Sequence, residues 1–196
     1  MSRIETKVVR GAQVTDYLES LAQLRIKVFR EYPYLYEGQL EPERAQLAKY
    51  AKASTSLFVL ALDGSEVVGV STAVAMSEAS RDIAESLRVA KQEPDNWLYF
   101  GESVLLADYR GLGLGHAFFD AREAHAKQLG ITTTCFCSIV RHPNDPRRPS
   151  GYRSLDDFWK KRGYACIPEA YLSLSWREVG DTVSTSKSLA FWARDS

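Results

Sequence analysis

The residues whose types and spacing best suit a chemical role form a glycine-rich turn, Arg110-Gly111-Leu112-Gly113-Leu114-Gly115. Glycines let a backbone turn tightly and aim its N–H groups inward. The turn lies between a strongly apolar segment, Trp97 to Leu106, and an amphipathic segment, His116 to Leu129. A helix that begins there adds unpaired N–H donors and the positive end of its dipole. The sequence therefore predicts a phosphate-binding turn with the guanidinium of Arg110 beside it.

Two common phosphate-binding motifs do not fit this turn. No Gly-Lys-Ser/Thr follows it, so the P-loop pattern fails. The dinucleotide pattern G-x-G-x-x-G fails as well, because His116 or Phe118 stands where its third glycine is needed. The acidic residue expected about 20 positions further on is replaced by Cys135-Phe136-Cys137. A protein of another class that holds ATP or NAD is therefore the weaker alternative.

The pattern that fits is Arg-x-x-Gly-x-Gly, and with it the chain resembles the GNAT superfamily of N-acetyltransferases. The preceding segment, Leu105 to Arg110, is similar to the V-x-P-x-Y-R segment of that family, with Ala107 in place of the common proline. A second segment, Phe158 to Tyr164, resembles the F-Y-x-K-x-G-F segment of the family. The order of predicted elements agrees over nearly the whole chain.

The resemblance implies a cofactor and the residues that bind it. In this family the turn holds the pyrophosphate of acetyl-CoA, which carries over to Arg110, Gly111, Leu112, Gly113, Leu114 and Gly115. The backbone of the fourth strand pairs with the pantetheine arm and stabilises the oxyanion. By alignment to the motif, those strand positions are Ser103, Val104 and Leu105.

The family's usual general acid does not carry over to this chain. Many members have a tyrosine that protonates the departing CoA thiolate, and Trp159 stands at that position. An indole N–H has no titratable proton to give. Tyr152 corresponds to a nearby asparagine of the family and is the candidate replacement.

Glu102 is the candidate general base. A lysine-like amine has a pKa of about 10.4, so a base must remove its proton before it attacks a thioester near pH 7. Glu102 is a carboxylate inside the apolar run Tyr99 to Leu106, and burial raises the pKa of such a group toward neutrality. Two alternatives stay open: the side chain faces solvent, or it pairs with an arginine. Gly101 beside it predicts a bulge or a close ligand approach.

The loop from Arg30 to Leu40 is the candidate acceptor site. It carries Tyr32, Tyr34, Tyr36 and Glu37, and the resemblance implies that this region shapes the acceptor pocket. Aromatic walls with an acid suit a cationic amine. The alternative is a small hydrophobic cluster that pins the loop.

Neither a cysteine nucleophile nor a metal site is expected. Cys135 and Cys137 share one face of a predicted strand, where small buried hydrophobes are favoured over nucleophiles. No second pair of ligands has the spacing of a zinc site, so no metal is expected.

The candidate site residues lie on predicted strands, helices and loops along the chain. The pattern predicts strands at 6–9, 57–62, 66–75, 97–106, 132–140, 164–167 and 171–178, and helices at 16–29, 43–53, 116–129 and 155–162. Residues 77–96 form a helical insertion between strands, and Leu189 to Trp192 is expected to cover an edge strand or a partner. The strand–helix–strand order around residues 97–140 implies a parallel pair. The resemblance implies a single α/β domain over 1–196, with a mixed, mostly antiparallel central sheet splayed between its fourth and fifth strands and helices on both faces.

Composition limits the class of protein and its partners. The 196 residues carry 25 Lys+Arg and 25 Asp+Glu, so a nucleic-acid or anionic-membrane partner is not expected. No apolar run is long enough to span a bilayer, and no secretory signal is evident. The 3 cysteines fit a reducing compartment, so a cytoplasmic location is expected. A homodimer remains possible.

These expectations converge on one function with two rivals. The chain is expected to be an acetyl-CoA-dependent N-acyltransferase that moves an acetyl group to a primary amine, on a small molecule or a peptide. Direct attack in a ternary complex is favoured over a covalent route, because no nucleophile–base pair is evident. One rival is a non-catalytic CoA-binding or regulatory module of the same fold, and the other is a nucleotide-binding protein of a different class. Fold-level resemblance does not identify the acceptor.

Overall fold

A computed structural model describes residues 4–195, which fold around one seven-stranded sheet with the strand order β1-β2-β3-β4-β5-β7-β6. The strands are β1 (Glu5–Val9), β2 (Leu57–Asp63), β3 (Glu66–Ala75), β4 (Trp97–Leu105), β5 (Thr133–Ile139), β6 (Ala165–Arg177) and β7 (Ser184–Asp195). The helices are α1 (Leu18–Phe29), α2 (Leu40–Ala51), α3 (Arg81–Val89), α4 (Leu114–Gln128) and α5 (Asp156–Lys161). Every strand pair is antiparallel except β4 with β5.

The central strands are covered on both faces, which explains their continuous apolar runs. Alternate residues of β2, such as Leu57 and Val59, join the core beneath α4, where Phe118 and Phe119 also lie. The intervening residues Phe58 and Leu60 join the core beneath α1 and α2. The predicted mixed sheet with helices on both faces is therefore confirmed, as are the β2–β3 hairpin and the parallel pair of β4 and β5.

A bulge interrupts β4 at the position predicted from Gly101. Thr72 of β3 pairs with Glu102 and Val74 pairs with Tyr99, so β4 carries one residue more than β3 between these pairs. A Cβ atom on Gly101 would lie 2.8 Å from Thr72 Oγ1 and 3.1 Å from the hydroxyl of Tyr50. The close approach of these two hydroxyls explains why the residue is glycine.

The sheet opens between β4 and β5. These two strands pair only where Trp97–Tyr99 meets Thr133–Cys135. Beyond that point β4 continues along β3, and β5 continues along β7. The predicted splay is thus confirmed, and it opens toward the end of β4 from which the glycine turn leads into α4.

The C-terminal third differs from the prediction. Segments 164–167 and 171–178, predicted as two strands, belong to the single strand β6, whose pairing is irregular between Cys166 and Tyr171, near Glu169 at φ 58°. Leu189 to Trp192 do not cover an edge. They lie within β7, which is inserted between β5 and β6. The prediction missed β7 because its first half, Ser184 to Ser188, is polar and exposed along most of its length.

The predicted helical insertion, 77–96, contains a short helix flanked by 3-10 turns. The helix α3 buries Ile83 and Leu87 against Tyr99 and the C-terminal strands. No helix among residues 4–195 is long and apolar enough to cross a bilayer.

Candidate functional site

The glycine turn presents a row of free backbone donors. Gly111 and Gly113 adopt φ values of 79° and 85°, a left-handed conformation that favours glycine. Gly113 is the N-cap of α4. Within residues 4–195, the N–H groups of positions 111–115 donate to no acceptor, and the first donor is His116, whose N–H reaches the Gly113 carbonyl at 3.0 Å. The arrangement matches an anion-binding helix start.

Arg110 lies at the rim of this turn. Its Nε donates to the Leu105 carbonyl at 3.1 Å, and its Nη2 donates to Glu31 at 2.8 Å. Both charged side chains are about half exposed. An exposed ion pair of this kind contributes only about 0–1 kcal/mol, so a phosphate can displace Glu31 from the guanidinium.

The edge of β4 next to the turn is open. Ser103, Val104 and Leu105 pair with Ser71, Val70 and Gly69 of β3, respectively. On their other side, β5 forms no ladder with them within the part of the chain that the structure describes. The three residues predicted to bind the pantetheine arm therefore lie in the splay, with one backbone edge available.

Glu102 points to the opposite side, toward α1 and α2. Its side chain is 5% exposed and forms an ion pair with Arg25 of α1. Arg25 Nε also contacts Glu43 of α2 at 2.5 Å, and the hydroxyl of Tyr36 donates to Glu43 at 2.7 Å. We call Tyr36, Glu43, Arg25 and Glu102 the acidic network. Of the alternatives for Glu102, pairing with an arginine is the one observed.

The acidic network leaves one oxygen unused. The Oε1 atom of Glu102 is buried and has no hydrogen-bond partner among the described residues. Two carboxyl groups share one guanidinium in this network. A buried, unpaired carboxylate oxygen is costly unless a ligand supplies a donor, and an ammonium group would supply one.

The four predicted acceptor residues are not brought to a single site. Tyr36 belongs to the acidic network, and burial together with Glu43 raises its pKa to about 12. Tyr34 packs between Phe29 and Trp176, with ring centroids 4.9 and 6.2 Å away, and burial raises its pKa to about 12. Glu37 forms an ion pair with Arg30. Tyr34 thus fits the alternative, a cluster that pins the loop.

Tyr152 and Tyr32 lie together beside β5. Their ring centroids are 4.7 Å apart, edge to face. Both line a cavity of about 270 Å³, together with Ser138, Arg148, Ser154 and Trp192. Burial raises the pKa of Tyr152, so its phenol stays protonated at neutral pH. Trp159 packs beside this region against Phe136 and Trp192, with ring centroids 5.0 and 5.2 Å away.

Cys135, Cys137 and His125 are structural in character. Burial raises the pKa of Cys137 to about 12 and raises that of Cys135 well above its usual value, so both remain thiols. His125 is buried, and its Nε2 lies 2.8 Å from the Thr55 carbonyl. Across residues 4–195, no group of three or more His, Cys, Asp or Glu side chains is placed to hold a metal ion.

Sequence reasoning missed Arg25, Glu43 and Arg122. Arg25 and Glu43 lie in helices among many exposed charges, so nothing in the sequence distinguishes them from solvent-facing residues. Arg122 lies in the polar run Arg122 to Lys127 but is 1% exposed. The only available signal was its position on the apolar face of α4, four residues after Phe118.

Comparisons with known proteins agree with this geometry. The model of the Acetyltransferase (GNAT) family matches residues 19–150. The chain belongs to this family. At the level of the family, the activity is that of an acetyltransferase. A search of curated proteins finds no significant match.

Solved structures share the fold over the whole chain. A provisionally named acetyltransferase from Acinetobacter baylyi ADP1 has 12% identity and a TM-score of 0.66, with 100% of this chain and 94% of that chain covered. The PaiA N-acetyltransferase of Thermoplasma acidophilum, solved in complex with coenzyme A, has 15% identity, a TM-score of 0.61 and coverage of 99% of each chain. The ribosomal-protein-alanine N-acetyltransferase of Brucella melitensis has 10% identity, a TM-score of 0.63 and coverage of 97% and 99%.

Proposed function

We propose that this GNAT protein transfers an acetyl group from acetyl-CoA to a primary amine by direct attack in a ternary complex. The observation that carries the proposal concerns the described residues 4–195: the N–H groups at 111–115 are unused there, at the end of a β4 edge that has no partner strand. The coenzyme A in the Thermoplasma structure supports the same ligand for this fold.

The residues around the splay fit acetyl-CoA as a co-substrate. The N–H groups of 111–115 would hold its pyrophosphate, with Arg110 exchanging Glu31 for a phosphate oxygen. The free backbone edge at 103–105 would pair with the pantetheine arm and place N–H donors near the developing oxyanion. Acetyl-CoA supplies the thioester that is cleaved.

Glu102 would receive the acceptor amine from the α1–α2 side. Its unpartnered Oε1 accepts a hydrogen bond from the ammonium and then takes one proton. The freed amine nitrogen forms a bond to the thioester carbon, and the C–S bond breaks. The departing thiolate takes a proton from the phenol of Tyr152, the candidate donor. The nitrogen releases its second proton to solvent as the amide forms, and solvent returns a proton to Tyr152.

The cofactor assignment is tested by calorimetric titration with acetyl-CoA, with ADP and NAD as controls. We expect CoA-selective binding, weakened about tenfold by Arg110→Ala, because one charge-assisted phosphate contact contributes about 1.4 kcal/mol. Binding of ADP without binding of CoA would favour a nucleotide-binding protein of another class. No binding of acetyl-CoA would overturn the proposal.

Catalysis is tested by thiol release with a panel of primary amines. We expect Glu102→Gln to bind acetyl-CoA normally and to lose turnover by about 100-fold or more. The control is Asp95→Asn, which removes an exposed partner of Arg88 in the region of α3 and should keep full turnover. A chain that binds acetyl-CoA but acetylates none of the amines would be the non-catalytic module.

A further inference from the structure

A buried arginine without a carboxylate partner lies in the core next to the splay. Arg122 of α4 is 1% exposed, and among residues 4–195 no Asp or Glu forms an ion pair with it. Its guanidinium lies 4.2 Å from the ring centroid of Phe100 and 4.6 Å from that of Phe119. Because a buried charge without a counterion is costly, its presence in an apolar core calls for a function.

The guanidinium contacts β4 where the sheet opens. Its Nη1 donates to the carbonyl oxygen of Glu102 at 3.2 Å, and its Nε donates to the Phe118 carbonyl at 3.1 Å within α4. The pairing of β4 with β5 ends at Tyr99, so β5 does not serve the Glu102 carbonyl. Arg122 thus adds a side-chain hydrogen bond to β4 at the residue where its pairing with β3 resumes after the bulge.

The hydrogen bond from Arg122 holds Glu102, which has contacts on both sides of β4. The side chain of Glu102 belongs to the acidic network, and its carbonyl is held by Arg122. Glu102 also ends the bulge and precedes the open edge at 103–105. At a bulge that pairs with β3 on one side only, a strand can change its local direction, so a hydrogen bond to the Glu102 carbonyl restricts where the carboxylate and the open edge point.

Burial lowers the pKa of Arg122 to about 9, so the guanidinium is still charged near neutral pH. Its Nη2 has no hydrogen-bond partner in the described part of the chain. The hydrogen bond to Glu102 is therefore charge-assisted and lies in a surrounding of low polarity, where such bonds are strong.

We propose that Arg122 is a positioning residue for acyl transfer, which holds the β4 bulge so that Glu102 and the open edge at 103–105 face their ligands. The proposal rests on the proposed function. It assigns a role to a core side chain that contacts neither the glycine turn nor the acidic network's side chains.

The first test compares activity with stability in Arg122→Met. Methionine fills much of the same volume without a charge, and replacing a buried charge by an apolar side chain is often neutral or stabilising. We expect Tm to change by less than about 3 °C while kcat falls about 100-fold. The KM for acetyl-CoA should change by less than about threefold, because the glycine turn is untouched. Arg122→Lys, which keeps a donor, should recover part of kcat.

Arg162→Met is the matched control. Arg162 also packs on Phe119, with its guanidinium 5.1 Å from the ring centroid, but it pairs with Asp120 and Glu123 and makes no hydrogen bond to β4. It should keep kcat within about threefold of the wild type. Equal losses in both variants, or full kcat in folded Arg122→Met, would overturn the proposal.

Hydrogen exchange separates this proposal from the proposed function. We expect the amides of 101–105 to exchange about tenfold faster in Arg122→Met, while those of β2, on the far side of β3, stay unchanged. This readout needs no turnover, so it holds even if the wild type acetylates no amine. Unchanged exchange at 101–105 would show that Arg122 does not hold the bulge, whatever the enzyme assays give.

Discussion

At the scale of single residues, the acidic network makes the two oxygens of Glu102 unequal. The Oε2 atom forms an ion pair with Arg25, and the Oε1 atom is buried and has no hydrogen-bond partner among the described residues. Arg25 is itself shared with Glu43, which it contacts through Nε while Nη1 contacts Glu102. The hydroxyl of Tyr36 compensates by donating to Glu43, which leaves Arg25 available to orient Glu102.

We expect Tyr36→Phe to weaken both the fold and acceptor binding. The variant removes the donor to the buried carboxylate of Glu43, and a hydrogen bond to a charged group contributes about 1.5–3 kcal/mol. Arg25 should then shift toward Glu43, which raises the KM for the amine severalfold and leaves the Kd for acetyl-CoA unchanged. Chemical unfolding, steady-state kinetics and calorimetry measure these three quantities.

Tyr17→Phe is the control for this substitution. The hydroxyl of Tyr17 accepts a hydrogen bond from Lys7 at 3.0 Å on the surface, so its loss should change the free energy of unfolding by less than about 0.5 kcal/mol. If Tyr36→Phe were as stable as Tyr17→Phe and kept the KM for the amine, the network would not orient Glu102.

The sequence identified some of these residues and not others for a physical reason. A carboxylate inside an apolar strand, such as Glu102, is conspicuous because charges are rarely buried. Arg25 and Glu43 are ordinary helix residues in sequence, and only the packing of α1 and α2 over β4 buries them. The glycine turn was predictable because its chemistry is local to one run of residues.

At the scale of elements, β4 carries the acceptor side and the cofactor side of the proposed site. The bulge at Gly101 turns the carboxylate of Glu102 toward α1 and α2, and the following residues line the splay. A Cβ atom at Gly101 would lie 2.8 Å from Thr72 Oγ1 and 3.1 Å from the hydroxyl of Tyr50, so a side chain there would force its neighbours to move. The bulge therefore depends on the absence of a Cβ atom.

Gly101→Ala should distort this bulge. The added Cβ would lie 2.8 Å from Thr72 Oγ1, and relief of such a clash in a packed interior costs about 1–3 kcal/mol. We expect this loss in the free energy of unfolding, with a fall in kcat larger than the change in the Kd for acetyl-CoA. Gly151→Ala is the stability control, because its Cβ would meet nothing within 4 Å. Equal unfolding energies for the two variants would contradict the role assigned to Gly101.

Elements with strong local patterns were predicted well, and those held by distant contacts were not. The β2–β3 hairpin has apolar runs around Asp63 and Gly64, and the structure places it there. The strand β7 begins with a serine-rich run that is apolar only from Leu189 onward. Its position between β5 and β6 is set by pairing along both of its edges, which no local pattern encodes.

At the scale of the whole molecule, buried or hydrogen-bonded carboxylates join segments that are distant in the chain. Glu178, at the end of β6, pairs with Arg141 and Arg147. Arg141 also donates to the carbonyls of Pro33 and Tyr34, so the loop with the tyrosines is tied to the segment after β5. The charged partners lower the pKa of Glu178, although burial opposes this.

Glu78 makes the same kind of connection between the end of α2 and the 3-10 turn after β3. Burial alone would raise its pKa, but hydrogen bonds from the backbone and hydroxyl groups of Ser54 and Thr55 outweigh it and lower the pKa to about 2. A carboxyl group with a lowered pKa in the folded state stabilises the fold above its unfolded pKa, about 4.3. This contribution disappears as the pH falls from there to about 2.

Glu78→Gln should therefore lower the free energy of unfolding at pH 7, by only about 1 kcal/mol because Glu78 is exposed and solvent screens its hydrogen bonds. The difference between the variant and the wild type should shrink below about pH 4 and vanish near pH 2. Urea unfolding at a series of pH values measures it. The control is Glu85→Gln, because Glu85 is largely exposed and only 3.7 Å from Arg88 within α3, so its removal should change little at any pH. A difference between wild type and Glu78→Gln that stays constant from pH 7 to pH 2 would mean that the hydrogen bonds of Glu78 do not depend on its charge.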